Sequence, residues 1–157
     1  MLKLGDDMKK ILVIAGFVLL ILCTGCEIVT GTYNEGTYFG YAYDAEYDAY
    51  ATSVIYVDAS GTIQSVFIDT TYINKEKSET TVSTKRIEGN DYKMKTYYPM
   101  AVGEWYEQAE ALEEYIIKNQ GLNVTLDADG KTDAISGATI NIAPIVKAVN
   151  NALEQAK

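Results

Sequence analysis

The sequence predicts an α+β fold: a small antiparallel sheet with a tyrosine-rich β-hairpin, packed by two main helices and preceded by a lipoprotein signal peptide. Three observations support this prediction. Tyrosine and β-branched residues alternate with small residues between residues 36 and 57, which is typical of strands. Apolar residues recur at helical spacing in two later segments. An unbroken apolar run stands near the N-terminus.

The N-terminal run has the features of a secretory signal. Lys9 and Lys10 precede twelve apolar residues, 11–22, a length that suits the hydrophobic region of a signal peptide and is short for a membrane-spanning helix. Two aspartates before Met8 are unusual in such a signal. Either Met1 or Met8 therefore fits as the start of translation.

The residues after this run resemble the bacterial lipobox. Small residues precede Cys26, as signal peptidases require at a cleavage site. The resemblance implies that Cys26 carries lipid and becomes the first residue of the mature protein, which attaches it to the membrane. We assign 1–25 to the signal peptide, 26–35 to the lipid anchor and tether, and 36–157 to one folded domain.

Charge and composition exclude several classes of function. Residues 26–157 retain 10 of the 13 basic and 20 of the 22 acidic side chains, a net charge of −10, which disfavours binding of nucleic acid or of an anionic membrane through the domain. The chain has no histidine and two cysteines, Cys23 and Cys26. Without histidine, the chain cannot form a serine–histidine–aspartate triad. Removal of Cys23 and lipidation of Cys26 also leave no thiolate for a zinc site or an iron–sulfur cluster. Chemistry must come from hydroxyls, carboxylates or a carried cofactor.

The first half of the domain is predicted to be a sheet. Residues 51–72 read as a hairpin around the turn Asp58–Gly61, because turn residues separate two segments of strand composition. The alternation places the tyrosines on one face of the sheet, with their hydroxyls at its rim. The polar segment 74–99 is predicted to be a long loop with a partial strand or a turn of helix.

The second half is predicted to contain both main helices. Trp105, Ala109, Leu112 and Ile116 share one helical face, and Gly121 follows the C-terminus of that helix. Residues 123–127 read as a short strand and 127–130 as a turn. The last helix carries apolar residues at helical spacing: Ile142, Ile145, Val146, Val149 and Leu153.

The segment "DAISGATIN", residues 133–141, leads into this last helix. A helix N-terminus is a natural site for a phosphate. Gly137 and Ala138 would let a ligand approach the backbone closely, and Ser136 and Thr139 offer hydroxyls. By itself, such a loop is more commonly a turn with a helix cap.

A resemblance favours the functional interpretation. "DAISGAT" resembles the Asp-x-x-Ser/Thr-Gly-Ala-Thr flavinylation motif of the FMN-binding domain family. That family includes flavin-carrying subunits of sodium-pumping and Rnf-type respiratory complexes, and surface lipoproteins of extracellular electron transfer. The resemblance covers nearly all of residues 36–157, which it implies are an FMN-binding domain.

The resemblance implies a role for each motif residue. Thr139 would be joined through its hydroxyl to the phosphate of FMN, which a separate magnesium-dependent flavin transferase takes from FAD. Asp133 would assist recognition or metal-assisted transfer. Ser136, Gly137 and Ala138 would shape the loop that presents the threonine.

Other positions bear on how the flavin is held. Asn141 departs from the family pattern, in which serine or threonine is common at this position. Tyr97, Tyr98 and Met94 are candidates for contacts with the flavin ring, because their side chains are flat or polarisable.

The function expected from these features is electron transfer rather than turnover of a substrate of the protein's own. We expect a covalently flavinylated carrier, lipid-anchored at the extracytoplasmic face of a bacterial membrane, with a flavin transferase and a membrane electron donor such as a quinone-linked dehydrogenase as partners. The residues predict no catalytic acid–base pair and no metal site of the protein's own. Two alternatives remain open: a ligand-binding or adhesion lipoprotein without flavin, and a lipoprotein whose cleaved signal peptide acts as a pheromone.

Overall fold

A four-stranded antiparallel sheet with the strand order β1-β2-β3-β4 forms the framework of the fold. The computed structural model describes residues 31–73 and 82–157. The strands are β1 (Gly36–Asp44), β2 (Ala49–Val57), β3 (Ile63–Ile73) and β4 (Val82–Thr84). The predicted signal peptide, the lipidation residue Cys26 and any pheromone cut from that segment lie outside the described residues.

The β2–β3 pair confirms the hairpin predicted between residues 51 and 72. Ile55 lies opposite Val66, and the register shifts at a bulge beside Val57. In the turn, the N–H of Gly61 donates to the carbonyl oxygen of Asp58 at 2.9 Å. Gly61 has a φ of 79°, a conformation that glycine adopts without strain.

Alternation along β1 and β2 separates an aromatic outer face from an inner face of small and aliphatic residues. The outward aromatic side chains, each 42–57% exposed, are Phe39, Tyr41, Tyr43, Tyr50 and Tyr56. Tyr43 and Tyr50 are cross-strand partners with ring centroids 5.2 Å apart. Ala42, Ala51 and Ile55 point inward and are buried. These tyrosines share one face of the sheet, as the alternation predicted.

A run of short helices occupies most of residues 82–99, the described part of the segment predicted as a loop. After β4 come α1 (Lys85–Glu88), a 3-10 helix (Gly89–Tyr92) and α2 (Met94–Tyr97). The Thr84 hydroxyl caps α1 by accepting the N–H of Ile87 at 3.3 Å. Met94 is buried in the core and so fixes this run against the rest of the domain. The segment is more regular than the sequence predicted.

The two predicted main helices are present as α3 (Trp105–Asn119) and α4 (Ala143–Gln155). Their predicted apolar positions are buried: Trp105, Ala109, Leu112, Ile116, Ile142, Ile145, Val149 and Leu153, with Val146 partly buried. α3 packs on β3, and α4 packs on β1 and β2. α4 lies closest to the sheet at Gly40, where a Cβ atom would be 2.0 Å from the Ala148 carbonyl oxygen. That oxygen also accepts the buried Ser53 hydroxyl at 3.0 Å.

Two polar side chains, one just after α3 and one within α4, form hydrogen bonds to the backbone at the outer edges of β3 and β1. Gln120, just after α3, accepts the N–H of Ile63 at 2.6 Å and donates to its carbonyl oxygen at 3.1 Å. On the other edge, Asn151 of α4 donates to the carbonyl oxygen of Tyr41 at 2.9 Å. These bonds take the place of a further strand at both edges.

One prediction for residues 120–127 is wrong. The strand predicted at 123–127 is absent, because both edges that it could join are taken and the segment packs instead through buried Leu122 and partly buried Val124. At the end of α3, Gly121 comes just after the helix, as predicted, and Gln120 before it adopts the left-handed conformation, with a φ of 54°. The side-chain bonds of Gln120 to β3 fix that residue in place.

Residues 31–34, from the predicted tether, lie against the domain. The N–H of Tyr33 donates to the carbonyl oxygen of Gly61 at 3.3 Å, and the N–H of Asn34 donates to that of Ala156 at 2.6 Å. Within residues 31–73 and 82–157, none of the helices has the length and apolar character needed to cross a bilayer.

Candidate functional site

The motif segment forms a turn between α3 and α4 that two buried side chains anchor. Ile135 and Ala138 are buried, and the N–H of Ala138 donates to the carbonyl oxygen of Ile135 at 3.3 Å. Gly137 has a φ of 92°, and a Cβ atom there would approach the Ala111 Cβ to 3.2 Å. The turn therefore needs glycine both for its backbone conformation and for its approach to α3.

Thr139 is held at the end of this turn by a buried glutamine of α3. The Gln108 Oε1 accepts both the Thr139 N–H, at 2.7 Å, and the Thr139 hydroxyl, at 3.0 Å. The Gln108 Nε2 donates to the carbonyl oxygen of Gly103 at 3.0 Å and contacts the Met94 sulfur at 3.6 Å. Because a backbone N–H can only donate, the amide oxygen must face Thr139. The hydroxyl proton is thus directed at Gln108, and the oxygen lone pairs are left for other partners.

A cavity of about 760 Å³ opens beside Thr139. Its walls are the short-helix run, the first turns of α3 and α4, and the 126–131 loop. Aromatic and thioether side chains contribute much of the lining, among them Met94, Tyr98 and Trp105. This volume lies within the range of about 300–1,000 Å³ found for small-molecule sites.

One of the five predicted cofactor residues lines this cavity. Thr139 lies in its wall, whereas Asp133, Ser136, Gly137 and Ala138 belong to the turn that leads to it. Asp133, Ser136 and Gly137 are exposed to solvent. Their surfaces are therefore accessible to another protein, and their roles in recognition and loop shape stay predictions.

A comparison with known protein families identifies the family of this domain and, with it, the ligand that the domain binds. A model of the FMN-binding domain matches residues 47–154, which include both Gln108 and Thr139. The chain belongs to the FMN-binding domain family. The match begins in the β1–β2 turn, so β1 lies before it although β1 pairs with β2 along its length. No curated protein and no solved structure matches the chain.

The lining of the cavity fits FMN. Met94 and Tyr98, two of the three side chains predicted to contact the flavin ring, line the cavity, and Tyr97 does not. Trp105 and Tyr92 add flat surfaces of the kind that pack against aromatic ligands. An exposed hydroxyl in one wall and aromatic groups in another suit a ligand with a phosphate at one end and a ring at the other.

The N-terminus of α4 faces this cavity, and the protein itself already bonds one of the free N–H groups at this helix end. Asn141, Pro144 and Ile145 line the cavity. The Asn141 Oδ1 accepts the N–H of Ala143 at 2.9 Å, and Pro144 has no N–H to offer. The phosphate site predicted at this helix end therefore has fewer free donors than an uncapped helix would provide. Asn141 serves here as a cap.

The side chain of Lys85 lies among aromatic rings that line the cavity. Its ammonium nitrogen lies 5.1, 5.4 and 5.7 Å from the ring centroids of Tyr92, Trp105 and Tyr47. Burial among these rings lowers the pKa of Lys85 to about 8, against the attraction of Asp44 and Asp69. Burial likewise raises the pKa of both Tyr47 and Tyr92 to about 12, so these two rings stay neutral at physiological pH.

The sequence interpretation missed Gln108 and Lys85. Gln108 lies three residues after Trp105 and four before Leu112, so it interrupts the apolar face of a predicted helix, and a polar residue at such a position needs a buried partner. That signal was available. Lys85 carried no comparable signal, because the segment around it was predicted to be a loop.

Proposed function

We propose that this FMN-binding domain carries FMN covalently, through a phosphoester to the Thr139 hydroxyl, and acts as an electron carrier anchored to the extracytoplasmic face of a bacterial membrane. One observation above all supports the attachment. The Thr139 hydroxyl lies in the wall of the cavity and is held there by the buried Gln108.

The attachment requires a second protein. A threonine hydroxyl is a weak nucleophile at neutral pH, and a neutral amide such as Gln108 cannot take its proton. A magnesium-dependent transferase would supply the base and the metal. Thr139 Oγ1 forms a bond to the phosphorus of the FMN half of FAD, the pyrophosphate P–O bond breaks, AMP leaves, and the hydroxyl proton passes to the transferase.

Gln108 has a positioning role in this step. Its two hydrogen bonds to Thr139 restrict the orientation of the hydroxyl before reaction, which lowers the entropic cost of attack. After esterification the Oγ1 atom has no proton to donate. The bond from the Thr139 N–H then still connects the modified residue to α3.

The proposed role in electron transfer follows from what the cofactor and the protein each supply. Bound FMN supplies the redox chemistry, while the chain supplies position and electrostatics. A carrier that faces the medium would lose a dissociable cofactor, and a covalent bond prevents that loss. Lipid at Cys26 would keep the domain beside a membrane electron donor such as a quinone-linked dehydrogenase.

The intact mass of the purified protein tests the attachment. After co-expression with a flavin transferase, the wild type should gain the mass of one FMN less one water, and Thr139→Ala should gain none. Thr132→Ala is the matched control, since Thr132 carries a hydroxyl just outside the motif residues 133–139 and does not line the cavity, and this variant should gain the full mass.

Either of two results would contradict the covalent proposal. A modified Thr139→Ala variant would move the attachment elsewhere. A wild type with flavin absorbance but no mass gain would show that FMN is held without a covalent bond. A wild type with neither signal would favour the other class of function, a ligand-binding or adhesion lipoprotein that uses the same cavity.

A further inference from the structure

Lys85 is a half-buried lysine with aromatic rather than acidic neighbours. Its ammonium group lies within 6 Å of three ring centroids, the distance at which a cation is attracted to a ring face. In the described part of the chain, no carboxylate lies within 4 Å of this group; Asp44 and Asp69 attract it from farther away. The same side chain lines the FMN cavity.

This arrangement destabilises the folded protein when no ligand is bound. Lysine is rarely buried without a charged partner, because removing an ammonium group from water is unfavourable. Attraction to three rings offsets part of that cost, and the remaining destabilisation shows in the lowered pKa of Lys85. A perturbed charge in a cavity wall is a frequent feature of binding sites.

We propose that Lys85 is the electrostatic partner of the flavin ring: it stabilises the negative charge that reduction places on the ring and thereby raises the midpoint potential of bound FMN. This inference rests on FMN occupying the cavity. It does not require the covalent bond to Thr139. It makes Lys85 a determinant of which donors and acceptors the carrier can serve.

The surroundings of Lys85 favour the ring over the phosphate as its partner. A phosphate is held by several N–H or hydroxyl donors that converge on one point. The immediate neighbours of the Lys85 ammonium are instead the faces of Tyr47, Tyr92 and Trp105. Flat walls with one cation between them match a ring that becomes anionic.

Lys85 also opposes the overall charge of the protein. The net charge of residues 26–157 is −10, which disfavours an anionic reduced ring and so lowers the potential. That long-range contribution acts through solvent and weakens as salt is added. Lys85 acts from a half-buried position, where salt screens the interaction much less. The two effects therefore separate experimentally.

Redox titration of the flavin-loaded protein, followed by absorbance, tests this proposal. Lys85→Met should lower the ratio of reduced to oxidised flavin at a fixed applied potential about tenfold, which is about 30 mV for a two-electron couple. Lys85→Arg keeps the charge and should keep most of the potential. The matched control is Lys131→Met, because Lys131 also lines the cavity but is exposed, and its shift should be smaller and should vanish at high salt.

Proton uptake gives a second measurement. The groups that face Lys85 or line the same cavity are Asp44, Glu46, Tyr47, Asp69, Tyr92, Tyr98, Asp127, Asp129 and Lys131. A negative ring should raise the pKa of Lys85 from its value of about 8. Between pH 8 and 9, reduction of the wild type should then take up more protons per electron pair than reduction of Lys85→Met.

The outcomes separate this inference from the function on which it rests. A loaded Lys85→Met variant with the wild-type potential and proton uptake would overturn it. If Lys85→Met and Lys85→Gln load less flavin than the wild type but the loaded fraction keeps the wild-type potential, Lys85 binds the phosphate, which also overturns the proposal. A wild type that binds no FMN would instead contradict the function of the cavity, and flavin content is measured before any titration.

Discussion

On the inner face of the sheet, the part under α4 and the part that opens into the cavity beside Thr139 differ in how they place polar groups. Under α4, Gly40 and Ser53 let the helix approach so closely that a hydroxyl bonds directly to its backbone. Around the cavity, Thr139 and Lys85 line open space. Polar groups in the first region are enclosed by the chain. Those in the second have contacts within the chain and also border a volume that a ligand can fill.

This difference indicates where stability and function reside. The α4 side depends on small residues, so it tolerates little added volume. The cavity side depends on a few buried polar contacts, above all those of Gln108, that hold exposed groups in position. Substitutions in the first region should act on folding, and substitutions in the second should act on flavin loading and redox behaviour.

Gly40→Ala should have the largest effect on folding. Its Cβ atom would lie 2.0 Å from the Ala148 carbonyl oxygen, and backbone rather than a flexible side chain must move, so the free energy of unfolding should fall by about 3 kcal/mol or more. Urea denaturation measures the change. Tyr41→Ala is the control on the solvent side of the same strand, with an expected loss below about 1 kcal/mol. Equal losses of stability in the two variants would show that close packing under α4 has no special role.

Gln108→Met should have a smaller effect on folding and a clear effect on loading. It leaves the Thr139 N–H and the Gly103 carbonyl oxygen without their partner, at an expected cost of about 2 kcal/mol. The rate of mass gain with transferase should fall as well, because the Thr139 hydroxyl loses its fixed orientation. Gln155→Met, which removes an exposed amide at the end of α4, should change neither quantity much. A normal loading rate in Gln108→Met would show that Gln108 does not position Thr139.

Lys85→Met should have the smallest effect, and of opposite sign. In flavin-free protein Lys85 releases its proton near pH 8 when folded, against 10.5 as its ordinary pKa. Between these pH values the unfolded chain binds more protons, so the wild-type free energy of unfolding rises with pH. Lys85→Met should therefore be more stable than the wild type at pH 7, by about 1 kcal/mol once the lost attraction of the ammonium group to the three rings is subtracted.

That advantage should shrink as the pH rises from 8 to 9.5. Urea denaturation at pH 7, 8 and 9.5 measures it, with Lys131→Met as the control whose difference from wild type stays constant. An advantage that does not change with pH would show that Lys85 carries no charge penalty in the folded protein.

Most of the architecture could be predicted from the sequence because it rests on periodic signals. The β2–β3 hairpin and the buried faces of α3 and α4 follow from alternation and from helical spacing. The strand predicted at 123–127 failed because local composition does not show that Gln120 and Asn151 already occupy the strand edges. Competition for an edge is a tertiary property.

The residues of the site likewise divide into those that the sequence could predict and those that it could not. Thr139 is a cofactor residue by resemblance, and the structure places it in the cavity wall. Gln108 could have been found as a polar residue on an apolar helical face. Lys85 could not, because three rings that are distant in sequence, Tyr47, Tyr92 and Trp105, make its environment. The phosphate site at the helix N-terminus stays a prediction, and only the folded loop reveals that Asn141 already accepts one of the donors there, the N–H of Ala143.

Localisation of the flavin on the peptide 132–147 tests the central claim most directly. Cleavage after Lys131 and Lys147 releases this peptide, whose hydroxyl residues are Thr132, Ser136 and Thr139. Fragmentation of the peptide from flavin-loaded protein should place the added FMN on Thr139. Flavin on Thr132 or Ser136, or an unmodified peptide from protein that retains flavin colour, would contradict the account.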